Sequence, residues 1–212
     1  MVELALSLIN FVKRQNIFIR NKKPILLKAI SLIDYIFHGS LRKIAKKLSL
    51  FFEPISKSSI HRYAKKFQSK VRISIEAKER SMIAIDETCI KLNGQKCFLW
   101  AAVDIFTKEL IAWDVSRGRS SLDALLFLYK VKARCKGKLP LVLTDSAPWY
   151  KEALSRLGFD QWIYAFNLRN AIERFFRYVK ERTKIFYNNI NGEIRNVELF
   201  MKMFAFWYKE LR

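Results

Sequence analysis

Three acidic residues occupy places where neighbouring strands and a helix could bring them to one point. Asp86 lies within the β-rich run IAIDET, Asp145 ends the apolar run LVLTD, and Glu173 falls one turn into RNAIERFFRYVKERT. Asp145 taken alone is most simply interpreted as a helix N-cap, because an aspartate before a Pro-containing first turn accepts backbone N–H bonds. A different role follows if the strands of Asp86 and Asp145 are neighbours.

Carboxylates that cluster repel each other unless cations neutralise them. Oxygen ligands that leave room for water suit Mg²⁺ or Mn²⁺. Two such ions serve an in-line displacement at phosphorus, because one activates the attacking oxygen and the other stabilises the leaving oxygen. We therefore interpret Asp86, Asp145 and Glu173 as catalytic and metal-binding residues. The expected cofactor is Mg²⁺ or Mn²⁺, two ions per site, with no small-molecule cofactor.

The residues after position 80 predict the elements that must position these acids. Asn93–Gly94 is a strong hairpin signal, and the continuous apolar run before Asp145 is typical of a strand covered on both faces. The predicted elements are strands at 81–92, 95–106 and 108–116, a helix at 120–137, a strand at 139–145, a helix from Pro148 to about Leu157, a candidate strand in FDQWIYAF and a long helix that begins near Asn167 or Asn170. In the helix at 120–137, the side chains expected to face inward are Leu122, Leu125, Leu126 and Leu128 or Tyr129.

This order indicates an α/β protein with a ribonuclease-H-like mixed sheet. A three-strand antiparallel meander is extended by parallel strands, and helices cover both faces. The strand of Asp145 would then lie beside the strand of Asp86, which favours metal binding over capping for Asp145. We expect this catalytic domain to occupy residues 80–212.

A basic helical region precedes the sheet. Residues 1–80 hold 18 Lys and Arg against 5 Asp and Glu, a net +13 of the total +21. Apolar residues recur at helical spacing in SLRKIAKKLSL (40–50) and SKSSIHRYAKKF (56–67), with basic residues between them and Ser56 or Ser58 as a candidate N-cap. We expect a DNA-binding region over 1–75 with a helix-turn-helix-like pair at about 40–67. An ordinary helical hairpin with solvated lysines is the alternative.

The residues expected to contact DNA lie on these two helices and on the long helix of Glu173. The second basic helix would meet base edges near its start and phosphates one turn further on. The candidates are Arg42, Lys43, Lys57, His61, Arg62, Lys65 and Lys66 in the N-terminal region, and Arg169, Arg177 and Lys180 around Glu173.

The composition limits the classes of partner. A net charge of +21 favours binding to the phosphate backbone of nucleic acids. No uncharged apolar run approaches the roughly twenty residues that span a bilayer, and MVELALSLINFVKRQN is a poor signal peptide, so we expect no membrane partner and a cytoplasmic, nucleoid-associated protein. Three cysteines without a CxxC pair, all downstream of both histidines, predict neither a disulfide framework nor a zinc site.

The segments IAIDET, FLWAAVD, TDSAPWY and RNAIERFFRYVKERTKIFYNNI resemble the DDE-type insertion-sequence transposases. Within them the resemblance is to the branch named after insertion sequence six, which includes archaeal elements, and it runs from about residue 41 to the end. It implies a catalytic domain that cuts at element ends and joins the freed 3′-hydroxyl to target DNA. The implied partners are terminal inverted repeats, target DNA and further copies of the chain, in a homodimer or higher oligomer.

By motif position, Asp86, Asp145 and Glu173 match the three acids of that family, and Lys180 matches a basic residue seven positions after the third. The 27 residues between Asp145 and Glu173 form a shorter interval than is usual in bacterial members, and Glu181 would fit the longer one. We expect Glu173 because it follows Arg169, Asn170 and Ile172 and because Lys180 returns to the same helical face after two turns.

Two other classes of function stay open. A nuclease or resolvase on the same fold would share the three acids but only hydrolyse DNA. A non-catalytic DNA-binding relic of an element would use the basic N-terminal helices alone.

Overall fold

The computed structural model describes residues 2–18, 22–73, 75–163, 170–184, 189–190 and 192–211. Its elements, in chain order, are α1 (Val2–Arg14), α2 (Ile25–His38), α3 (Leu41–Leu48), α4 (Lys57–Lys70), β1 (Met82–Leu92), β2 (Gln95–Asp104), β3 (Leu110–Ser116), α5 (Ser121–Lys132), β4 (Leu141–Thr144), α6 (Pro148–Leu157), β5 (Gln161–Ile163), α7 (Asn170–Thr183), β6 (Asn189–Ile190), α8 (Ile194–Phe206) and a π-helical turn (Trp207–Leu211).

These elements form two compact units. The helical unit comprises Met1–Ile73, Arg182–Tyr187 and Leu199–Arg212, and the sheet unit comprises Ser74–Glu181 and Asn188–Glu198. None of the helices in the described residues is long and apolar enough to cross a membrane.

The helical unit has an aromatic core. The ring of Phe206 lies 4.4 Å from that of Phe11 and 5.2 Å from that of Phe67, measured between centroids. Arg182 stacks over Trp207 at 4.8 Å, which offsets part of the cost of burying its guanidinium group. The aromatic C-terminal segment is therefore part of this core.

Two capped basic helices, α3 and α4, lie on this core. The hydroxyl of Ser40 accepts the N–H of Lys43 at 3.4 Å, and the hydroxyl of Ser56 accepts the N–H of Ser59 at 3.1 Å. Ser56 is thus the N-cap of α4, one of the two residues predicted for that role. The helices pack against each other and against α2 through their apolar stripes, which leaves the basic residues between them outward.

The sheet unit has the strand order β3-β2-β1-β4-β5. Strands β1, β2 and β3 form an antiparallel meander, while β4 and β5 continue the sheet in parallel. Asn93 and Gly94 both have positive φ angles, 50° and 80°, as the predicted tight hairpin requires. The short strand β6 pairs with the far end of β1, beyond the reach of β4.

Both faces of this sheet are buried. Helices α5 and α6 pack on the face that carries Ile83, Ile85 and Trp100. Ala84 and Leu143, on the opposite face, are also fully buried. The predicted ribonuclease-H-like mixed sheet with helices on both faces is confirmed.

The inward face of α5 differs from the predicted one. The buried residues are Ala124, Phe127, Leu128 and Val131, whereas Leu122, Leu126 and Tyr129 are more than half exposed. The expectation that Leu122 and Leu126 face inward is therefore wrong. Apolar residues surround this helix on nearly every side, so their spacing alone does not define the buried stripe.

A buried charge cluster holds the start of β1. The Arg80 guanidinium has no exposed surface and donates to the carboxylates of Asp104 at 3.1 Å and Glu109 at 3.2 Å. Burial raises the pKa of Asp104, but hydrogen bonds from the backbone N–H groups of Thr107 and Phe106 and from Arg80 outweigh it, so the net pKa is lowered. Burial also raises the pKa of Glu109, and the bonds from Lys78 and Arg80 reverse that rise.

Replacing Arg80 should destabilise the sheet unit strongly. Arg80→Met leaves the Asp104 carboxylate buried without its cation, which should lower the free energy of unfolding at pH 7 by about 3–5 kcal/mol. Lys78→Met is the matched control: Lys78 pairs with Glu109 at 2.6 Å but is 45% exposed, so its loss should cost roughly 0–1 kcal/mol. Urea unfolding measures both, and equal losses would contradict the assigned role of burial.

The same cluster predicts an acid dependence of stability. Because the pKa values of Asp104 and Glu109 are lower in the folded state, their contribution is present above their unfolded pKa values and is lost as the pH falls through the folded ones. Urea unfolding between pH 7 and strongly acidic pH should show this loss in the wild type and a smaller one in Arg80→Met. Parallel pH profiles for the two proteins would assign the acid dependence to other groups.

Candidate active site

The pairing of β1 with β4 brings two aspartates together. Ala84 of β1 is registered against Leu143 of β4 in a parallel ladder. Asp86 and Asp145 each lie two residues further on, so they occupy neighbouring positions on one face of the sheet. Asp86 is 8% exposed and Asp145 is half-buried. Two carboxylates, one from β1 and one from the carboxyl end of β4, therefore occupy adjacent positions.

Asp145 closes a local turn and does not cap α6. Its Oδ1 accepts the N–H of Ala147 at 3.0 Å, and Ala147 is the residue before the helix, whose first turn has no side-chain cap. A carboxylate offers roughly four acceptor sites on its two oxygens. This hydrogen bond fixes the orientation of Asp145 and leaves capacity for a metal ion.

A third carboxylate, Glu87, lies on the opposite face of β1. It accepts a hydrogen bond from the hydroxyl of Tyr150 and forms an ion pair with Arg119, and its side chain is only 4% exposed. The pKa of Glu87 is raised, mainly by burial and further by the charges of Asp86 and Asp145. The hydrogen bond from Tyr150 and the charge of Arg119 offset only part of this rise. Glu87 points away from Asp86 because successive side chains of a strand alternate between its faces.

Glu173 lies on an exposed face of α7. It shares that face with Arg177 and Lys180, four and seven residues further on, as the predicted helical spacing requires. Glu181 is also exposed. Arg169 falls outside the described residues.

The two aspartates fit a divalent metal ion, although the third acid is not placed with them in this structure. Within the described ranges, no three His, Cys, Asp or Glu side chains are gathered closely enough to hold a metal ion. Mg²⁺ keeps several waters and is usually bound through one or two carboxylates plus substrate phosphates. Asp86 and Asp145 would supply two such oxygen ligands.

The predicted DNA contacts of the helical unit lie on the surfaces of α3 and α4. The exposed ones are Arg42, Lys43, Lys57, His61, Arg62 and Lys65. Lys66 is half-buried. The pKa of the buried Lys28 is lowered, mainly by its burial and secondly by the positive charge of Lys66. Lys66 is therefore less accessible than its neighbours.

Comparison with known proteins identifies the family. A family model for the IS240 group of DDE transposases, described as a DDE domain, matches residues 80–202, which is more than half of the chain. The chain therefore belongs to this family of DDE transposases. It is thereby placed among the metal-dependent enzymes that carry out phosphoryl transfer on DNA.

Individual relatives extend the comparison over the whole chain. An uncharacterized protein of Methanocaldococcus jannaschii is 36% identical over 199 residues, which cover 93% of this chain and 92% of that protein. The transposase for the insertion sequence-like element IS431mec of Staphylococcus aureus is 30% identical over 139 residues, 60% of this chain and 58% of that protein.

Among solved structures, the HTLV-2 integrase catalytic core domain in complex with magnesium has 17% identity and a TM-score of 0.46. The likeness covers 62% of this chain and 86% of that chain.

Sequence reasoning did not identify Arg119 or the role of Tyr150. The ring of Tyr150 is fully buried. Its hydrogen bond to Glu87 connects residues 63 positions apart, and the ion pair of Arg119 connects residues 32 apart. Such contacts have no local sequence pattern.

Removing one charge from the acidic edge should stabilise the metal-free protein. Asp86→Asn keeps the oxygen that accepts the N–H of Glu87 but relieves repulsion with Asp145. We expect Tm to rise by roughly 2–4 °C, equivalent to about 1 kcal/mol. Mg²⁺ should then raise Tm more in the wild type than in the variant.

Differential scanning fluorimetry measures both shifts, and Asp160→Asn, at an exposed aspartate of the same unit, is the control. A lower Tm for Asp86→Asn, together with an unchanged response to Mg²⁺, would exclude Asp86 from a repulsive metal-binding pair.

Proposed function

We propose that the chain cleaves DNA at the ends of an insertion element and joins the freed 3′-hydroxyl to target DNA. The observation that carries this proposal is the register of β1 and β4, which sets Asp86 beside Asp145 at the carboxyl end of β4. Membership of the DDE transposase family supports it. The whole reaction stays a proposal, since the chain spans just over half of the S. aureus transposase that it matches.

In this proposal Asp86, Asp145 and Glu173 hold Mg²⁺ or Mn²⁺, two ions in all. Bound divalent ions neutralise charge at phosphorus and lower the pKa of the attacking hydroxyl. Asp86 is paired with Ala101 of β2, two residues beyond the last pair of β1 with β4, which fixes its position, while the turn at Ala147 fixes Asp145. Glu173 would complete the site from the first turn of α7.

Joining is a single displacement at phosphorus. A bond forms between the element's 3′-oxygen and a target phosphorus atom, and the bond from that phosphorus to the target's own 3′-oxygen breaks. The attacking hydroxyl loses its proton to solvent, and the leaving 3′-oxygen takes up a proton from solvent. Cleavage of the element end follows the same course with water as the attacking group. A protein limited to the second reaction would be a nuclease.

Recognition of element ends is proposed for the N-terminal region, residues 1–75, with α3 and α4 as a helix-turn-helix-like pair. The catalytic domain is proposed over residues 80–212. Arg169, Arg177 and Lys180 would hold DNA beside Glu173. We further propose assembly as a dimer or higher oligomer on DNA, at the nucleoid.

Neutral variants of the three acids test the catalytic proposal. With Mg²⁺ and a duplex from the terminal repeats, the wild type should produce both cleaved and strand-transfer products. Asp86→Asn, Asp145→Asn and Glu173→Gln should each abolish both, while DNA binding is kept or improved because a negative charge near phosphate has been removed. Denaturing gels separate the products, and cleavage without transfer would favour a nuclease.

Glu181→Gln is the control for the third acid, because Glu181 lies on the same helix and is also exposed. It should retain activity. Full activity in Glu173→Gln, with loss in Glu181→Gln, would transfer the third role to Glu181.

Variants of α4 should separate base contacts from phosphate contacts. Arg62 lies near the start of α4 and Lys65 one turn further on, and both are exposed. Arg62→Ala should lower discrimination between element-end and random DNA, whereas Lys65→Ala should weaken both about equally and reduce the salt slope by about one phosphate contact. Salt titrations with both duplexes measure this, and if removing residues 1–70 leaves the preference unchanged, recognition lies elsewhere.

A further inference from the structure

The loop between β3 and α5 is fixed at both of its ends. The Trp100 indole N–H donates to the hydroxyl of Ser116 at 2.7 Å, and that hydroxyl donates to the carbonyl of Gly118 at 2.6 Å. After the loop, the N–H and hydroxyl of Ser120 donate to the Asp123 carboxylate, and the N–H of Asp123 donates back to Ser120. The backbone that carries Arg119 is therefore preorganised.

The side chain of Arg119 is held by three groups and still reaches solvent. Its guanidinium carbon lies 4.3 Å from the ring centroid of Trp149 and 5.2 Å from that of Phe98. One nitrogen lies 3.4 Å from Oε1 of Glu87, and 45% of the side chain is exposed. A guanidinium group has five N–H donors, so the single bond to Glu87 leaves most of them for a further anion.

This cation lies at the same edge of the sheet as the two aspartates but, like Glu87, on the opposite face of β1. Glu87, which binds Arg119, is the residue after Asp86 and donates its N–H to Oδ1 of Asp86 at 2.9 Å. Trp149, on which Arg119 stacks, lies in the first turn of α6, four residues after Asp145. Two of the three contacts of Arg119 are therefore to residues close to the acidic pair in the chain, and the third, Phe98, lies on β2.

A DNA strand approaching this edge meets carboxylates that repel its phosphates. A fixed cation that is already desolvated on one side by an aromatic ring opposes that repulsion without losing side-chain freedom on binding. Arginine suits this task because its planar fork matches the oxygens of a phosphate. Its contact with Glu87 at 3.4 Å joins a buried carboxylate to a guanidinium whose side chain is still 45% exposed.

We propose that Arg119 binds a backbone phosphate of the DNA strand held at the edge of Asp86 and Asp145, and that Glu87 and Trp149 are positioning residues for it. This inference rests on the proposed function, because it requires DNA at that edge. It adds a phosphate contact from the loop between β3 and α5 to the contacts proposed for α3, α4 and α7.

The test measures binding and does not require catalysis. Asp145→Asn serves as the parent protein, and the probe is a short duplex from the terminal inverted repeats that flank the coding sequence. In a series of such duplexes, one phosphate at a time is replaced by an uncharged methylphosphonate. One position, or two adjacent positions, should weaken binding to the parent about tenfold through loss of the Arg119 contact.

In the parent carrying Arg119→Gln, the same substitution should have no further effect, while the other positions keep their profile. Arg119→Lys should retain part of the sensitivity, because it keeps the charge but loses the planar fork. Arg156→Gln is the matched control, since Arg156 is an exposed arginine paired with Glu152 in the last turn of α6. The Arg156→Gln variant should lose binding at the same methylphosphonate position as the parent does.

A parent without any sensitive position, or an Arg119→Gln profile identical to the parent's, would overturn the inference. If Arg119→Gln lowers Tm, the parent is compared with Arg119→Lys instead. A sensitivity to the methylphosphonate in Arg119→Lys that equals the parent's counts against a planar phosphate contact. Failure of the proposed function is seen separately, as the absence of strand-transfer products from the wild type on unsubstituted DNA.

Discussion

The parallel pairing of β1 with β4 is the constraint on which the site depends. Strand side chains alternate between faces, so a slip of one residue in this ladder would move one aspartate to the other side of the sheet from its partner. The register is fixed by burial: Ala84 and Leu143 on one face and Ile83 on the other are fully enclosed. The same apolar residues that stabilise the sheet therefore place Asp86 beside Asp145.

Two clusters of charged side chains lie at different places along β1 and β4. At the start of β1, Asp104 and Glu109 surround Arg80 and the charges are balanced within the protein. At the carboxyl end of β4, Asp86 and Asp145 have adjacent positions, and Glu87 adds a third carboxylate just across the strand. The first cluster stabilises the fold, whereas a cation bound at the second would relieve repulsion among its carboxylates, as is common where binding sites are built at some expense of stability.

The sequence predicts the fold further than it predicts the site. The Asn93–Gly94 turn, the strand order and the opposite orientations of Asp86 and Glu87 follow from period and turn chemistry, which are local. The buried stripe of α5 does not, because Leu122 and Leu126 are as apolar as the residues that face inward. Arg119 is also missed, because a solvated arginine before a helix and one stacked on Trp149 look alike until the tertiary structure is known.

The location of a bound metal ion tests the central claim most directly. A crystal of the wild-type protein with terminal-repeat DNA and Mn²⁺ would show the ion by its anomalous scattering. We expect a peak with oxygens of Asp86 and Asp145 as ligands at roughly 2.0–2.6 Å, and Glu173 brought to the same site as the proposed third ligand. A fully occupied Mn²⁺ bound elsewhere, with Asp86 and Asp145 both outside its coordination shell, would contradict the account.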